Sequence, residues 1–240
     1  MSILYEILYR PLFNLLVFFY NTVSFSNIGV AIIILTIVIK LAFLSMSQKA
    51  IKSQKALQDL QPKIKDIQEK HKGNKEEQAK ALMNFYKENK ANPMSGCLPL
   101  LIQLPILIAL YQVFLKGFDP SSLSALYSFV SNPGAIDPMF FGQMNLALPS
   151  RILAVLAGLA QFWQAKMMTP QKSLPGAPKT SDEFMSQAVS KQMLYFLPAF
   201  TVFISWNLPA GLALYWLVTT LFTIFQQYAI IRPVRAGKQR

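Results

Sequence analysis

One cysteine, one histidine and eleven acidic residues are all that 240 positions provide, and each shortage excludes a class of function. Cys97 alone makes neither an intrachain disulfide nor a two-cysteine metal site. His71 stands in a lysine-rich stretch, so no second imidazole shares a metal or builds a second candidate triad. No glycine-rich phosphate loop occurs. The long apolar runs contain no Asp or Glu, which removes both the paired carboxylates of an intramembrane protease and the acid that proton-driven carriers use. The expectation is a protein that is not an enzyme, with no catalytic residue, metal or cofactor.

What is present is apolar. Hydrophobic residues make up 53% and charged residues 14%, and the charges sit in blocks between hydrophobic runs, the signature of a polytopic all-α membrane protein. The run Ile28 to Met46 is interrupted only by Thr36, Lys40 and Ser45. Its nineteen residues would extend about 28 Å as a helix, the thickness of a bilayer's hydrocarbon core.

Five spans are expected. Residues 1–26 form an N-terminal amphipathic helix lying in the membrane surface, with Pro11 bending or restarting it; a sixth span turning at Ser24 to Asn27 is the alternative. The first span covers 27–47. Residues 48–93, with eleven lysines against six acids, contain two amphipathic patterns either side of His71-Lys72-Gly73-Asn74 and read as a cytoplasmic helical hairpin whose first arm Pro62 should kink or restart. The second span covers 94–116, an extracytoplasmic loop 117–148, the third span 149–169 and a cytoplasmic loop 170–191, in which Ser181-Asp182-Glu183 is a candidate helix cap. The fourth and fifth spans cover 192–208 and 212–231, before a basic cytoplasmic tail, 232–240.

Charge sets the direction. The hairpin, the 170–191 region and the tail carry nearly all of the net +12. On the opposite side Arg10, Lys116 and Arg151 cancel Glu6, Asp119 and Asp137. The positive-inside rule therefore puts the N-terminus outside and the C-terminus in the cytoplasm. A basic excess of this kind meets anionic lipid; DNA is not an expected partner.

Lys40 is the singular residue, because a charge inside a span costs at least about 2.5 to 3.5 kcal/mol on insertion scales. Two readings stand: its stem snorkels to the headgroups, or it faces a polar cavity with Thr36 and Ser47 on the same helix face. Polar partners are on offer in other spans: Gln103 and Gln112, Gln161 and Gln164, Tyr215, Thr219, Thr220 and Thr223. Any of them also serves simple helix–helix bonding. Trp163, Trp206 and Trp216 fit packing, an interfacial belt or a slide for a substrate helix.

The run Asn92-Pro-Met-Ser-Gly96-Cys97-Leu-Pro99-Leu-Leu-Ile-Gln103-Leu-Pro105 resembles the second-span signature of the YidC family of membrane protein insertases. So do Leu60-Gln61-Pro62-Lys-Ile-Lys-Asp-Ile-Gln-Glu-Lys70, Lys166-Met-Met-Thr-Pro170 and Leu208-Pro-Ala-Gly-Leu-Ala-Leu-Tyr-Trp216. The resemblance implies a five-span bacterial inner-membrane insertase and chaperone. Its hydrophilic groove would open to cytoplasm and lipid and carry one basic residue in the first span, usually arginine and here Lys40. Thr36, Gln161 or Gln164, and Trp216 match positions that resemble groove or substrate-contact sites. Implied partners are nascent membrane proteins and the bilayer, with the Sec translocon and the ribosome as further candidates. A small-solute or ion transporter and a passive assembly scaffold are the competing classes. An odd span number, with no two equal halves, disfavours the first; a scaffold would not insert substrate by itself.

Overall fold

The computed structural model describes residues 5–89, 91–92, 98–168 and 192–237. The expected cap at Ser181-Asp182-Glu183 and most of the Asn92 to Cys97 signature lie outside them. The described chain is mostly helical. A π-helical turn, Tyr5–Tyr9, leads into α1 (Arg10–Thr22); then come α2 (Ile28–Ala42), α3 (Leu44–Lys70), α4 (Lys75–Glu88) and α5 (Leu98–Lys116). A 3₁₀ turn, Pro120–Ala125, and a two-stranded ribbon, β1 (Met139–Phe140) with β2 (Met144–Asn145), precede α6 (Arg151–Met168). A second π-helical turn, Gln192–Phe196, opens into α7 (Leu197–Ser205), and α8 runs from Ala210 to Gly237.

Pro11 and Pro198 each fall in the first turn of the α-helix that follows a π turn, where a residue without an N–H costs least. Pro62 does not restart the arm: α3 continues through it, without the backbone hydrogen bond that a proline cannot donate. The larger departure lies upstream. Instead of running on to Met46, the first helix stops at Ala42, and α2 and α3 meet at an angle of 68° across Phe43. The hairpin's first arm accordingly starts at Leu44, with Gly73 at φ 109° and the Asn74 side chain capping α4 in the turn between the arms.

Among the described residues one helix, over Ala210–Ile231, is by itself long and apolar enough to cross a membrane, and the bent pair Ile28–Ala42 and Leu44–Lys70 makes at most a second. Leu101–Lys116 and Leu194–Ser205 are shorter apolar helices.

α6 packs against α7 and α8, and α8 also packs on α2. Gly158 lets α6 and α7 close up, since a side chain there would collide with Val202. Tyr215 apart, many of the largest enclosed side chains gather at the Ile28 end of α2: Phe13 and Val17 of α1, Ile28 and Ile32, Leu110 and Phe114 of α5, and Leu212 of α8. The 117–148 segment closes over that end. Asn14 donates to the Ala125 carbonyl at 3.1 Å and accepts from the Tyr127 amide at 2.6 Å, and the Gly211 amide reaches the Leu146 carbonyl at 2.9 Å. This end is dry.

Candidate functional site

The other end of the same helices is polar. Lys40 occupies the last turn of α2, where unpaired carbonyls and the negative end of the helix dipole suit a cation. Its Nζ donates to Thr223 Oγ1 of α8 at 2.8 Å and stands 5.8 Å from the centre of the Phe222 ring, within cation–π range. Thr223 passes its own proton to the Thr219 carbonyl at 2.8 Å, leaving its oxygen free to accept. Among the described residues no carboxylate lies within 4 Å of Lys40.

Neighbouring contacts extend the seam. Ser47, one turn into α3, donates to Gln226 Oε1 at 3.1 Å. Gln103 Nε2 of α5 donates to the Tyr215 hydroxyl at 2.7 Å. Tyr215, Thr219, Thr223 and Gln226 recur every three or four residues and so make one stripe along α8. Thr219 Oγ1, Gln226 Nε2 and Gln227 Oε1 are buried with no protein partner, which leaves hydrogen-bonding capacity along and beside the stripe. A small cleft of about 70 Å³ opens there, its wall including Ile39, Lys40, Phe43, Ser47, Gln103 and Ile106.

Of the residues singled out in the sequence, Lys40 and Gln103 line this cleft, and Tyr215 and Thr219 stand behind Gln103. Thr36 is fully enclosed in the dry layer, its hydroxyl given to the Ile32 carbonyl at 2.7 Å. Gln161 is buried and accepts from Thr201, tying α6 to α7. Gln164 and Trp216 are half-buried and outside the cleft wall, and Gln112 is exposed. Ser47 reaches the cleft by a route other than the expected shared face, because it lies beyond the bend at Phe43. Gln226 and Gln227 are additions; the spacing from Tyr215 to Gln226 was the available signal. Among the described residues no group of three His, Cys, Asp or Glu is placed to hold a metal.

A family model described as 60Kd inner membrane protein matches residues 18–238, which include the whole seam. The chain belongs to this family of inner membrane proteins. Relatives within the 60Kd family bear the name membrane protein insertase YidC. The one from Fusobacterium nucleatum is 36% identical over 227 residues, 94% of this chain and 97% of the relative. Those from Geobacter sulfurreducens and Pelobacter propionicus are 32% and 36% identical over 98% and 96% of the chain. The chain spans nearly the full length of the first but only 39% of each of the other two.

Proposed function

We propose that the chain is a five-span insertase that moves nascent hydrophobic segments from the cytoplasm into the bilayer, as the names of its relatives suggest. The spans are α2, α5, α6, the Gln192–Ser205 helix and α8, with the N-terminus outside, α1 in the interface and the hairpin and C-terminus in the cytoplasm. The observation that carries the reading is the Lys40 contact. An ammonium bonded to a neutral hydroxyl, beside a cleft and, among the described residues, with no carboxylate within 4 Å, keeps attraction available for a visiting polar or acidic flank. A solvated flank would enter from the Lys40 end and stop at the dry layer around Ile32 and Phe114, while the attached apolar segment leaves sideways into lipid.

Short helices favour the same step. The fifteen residues of α2 and the twelve of Leu194–Ser205 reach only about 18 to 23 Å, so the bilayer thins around them and the polar barrier shortens. No nucleotide is needed, because moving apolar side chains into lipid yields about 25 cal/mol per Å². The Sec translocon and the ribosome would be upstream partners delivering the segment.

The purified chain in vesicles with a single-span substrate tests this reading. Protease protection of the translocated flank, without any other protein present, is the expected result. Failure to insert any of several substrates would leave the scaffold reading. Solute leakage through empty vesicles that depends on Lys40 would favour the transporter.

A further inference from the structure

Two phenylalanines sit where the backbone resists them. Phe25 is 99% exposed at φ 52° and Phe141 is 67% exposed at φ 49°, left-handed conformations in which a bulky side chain is an outlier. Exposed to water, neither ring would recover that cost. A third, Phe129, is 77% exposed.

All three are fastened to one corner of the fold. Phe25 lies in the α1–α2 turn, two residues before the Asn27 cap that starts α2. The Asn21 side chain donates to the Ser131 carbonyl at 2.6 Å, holding the Phe129 segment at the end of α1. Phe140, beside Phe141, packs so closely on Gly29 that a side chain at 29 would overlap its ring. The outward side of α1 continues the apolar surface with Leu15 and Phe18, both exposed. Near the ends of α6 and α7 an aromatic–cation pair is found as well, Arg151 standing 5.4 Å over the Trp206 ring.

We infer that Phe25, Phe129 and Phe141 are lipid anchors, inserted at the boundary of headgroups and acyl chains in the outer leaflet, so that the cap over the dry end is held by the bilayer itself. The inference rests on the spanning reading above. Continuity selects lipid as the occupant: α2 begins three residues after Phe25, and a span's first turn lies where aromatic rings settle. The same side of the protein has no net charge to attract an ionic partner surface. An anchored cap keeps the outer end shut while the Lys40 end stays open.

Depth-dependent quenching tests it. In a Cys97→Ser background, the full chain would carry bimane on Phe25→Cys, Phe129→Cys or Phe141→Cys, in vesicles whose lipids are brominated near the headgroup or deep in the chain. Phe225→Cys, exposed on α8, is the acyl-chain control, and Glu76→Cys, exposed on α4, the aqueous one. The three probes should be quenched about twofold or more by shallow bromine, less by deep bromine, and should resist aqueous iodide. Probes open to iodide and untouched by bromine, with Phe225→Cys quenched, overturn the anchor and spare the spanning reading. Probes shielded from both would mean protein covers the corner, which also overturns it. Phe225→Cys itself unquenched would bring down both.

Discussion

Lys40→Met separates a functional charge from a structural one. The substitution keeps most of the stem and removes the ammonium, so two contributions nearly offset. Relief from holding a charge inside a span is about 2.5 to 3.5 kcal/mol on insertion scales. Against it stand the bond to Thr223, about 1.5 to 3 kcal/mol for a charged donor, and the contact with the Phe222 ring, about 0.5 to 1 kcal/mol. The balance lies within about 1.5 kcal/mol, which for a chain of this length moves the melting midpoint by no more than about 3 to 6 °C. Insertion should respond differently. An acidic group about 4 Å from the ammonium gains about 1 to 4 kcal/mol between fully wet and partly dry surroundings, so substrates with acidic translocated flanks should insert about tenfold or more slowly. The assays are thermal unfolding in detergent and protease protection in vesicles. A midpoint lowered by about 10 °C or more, or unchanged insertion of acidic flanks by the stable variant, refutes the reasoning.

Gly158→Leu should destabilise the α6–α7 contact by about 1 to 3 kcal/mol, because the new side chain meets Val202 and the Pro198 carbonyl; a thermal melt reads it. Asn14→Leu leaves the Tyr127 amide without its acceptor at a cost of about 1 to 3 kcal/mol, and proteolysis of the 117–148 segment from its exposed side should accelerate. The Ser121 backbone N–H, at 2.9 Å, holds the Asp119 carboxyl below its usual value. A depressed folded-state value means that this capping is present above the ordinary carboxylate range and is lost as pH falls through the lowered value. The protection of the Ser121 amide, taken relative to the intrinsic exchange rate at each pH, should therefore fall in acid, and Asp119→Asn should flatten that dependence. In a double-mutant cycle, Gln161→Leu with Thr201→Val should show a coupling of about 0.6 to 1.7 kcal/mol.

That Lys40 and Gln103 would bond to another helix was legible in the sequence, because a polar group in an apolar run must find a partner. The bend at Phe43 was not. Leu44 and Met46 prolong the hydrophobic stretch across it, so composition shows one span where geometry makes a corner. Gln161 shows the limit of residue type alone: an amide in a span looks the same whether it faces a cleft or, as here, Thr201. Thr36 differs again, since a threonine satisfied by its own helix needs no cavity. The β1–β2 ribbon is too short for an alternating pattern, whereas the turn at Gly73 was announced by its Gly-Asn pair.

The elbow at Phe43 lies between two fastenings to one rod. Before it Lys40 grips Thr223, and after it Ser47 grips Gln226, both on α8. With both sides tethered to the same helix, α3 has no free hinge: a swing of the hairpin's first arm must strain or break one of these two bonds. Load applied far out on the hairpin is thereby geared directly to the mouth beside the ammonium.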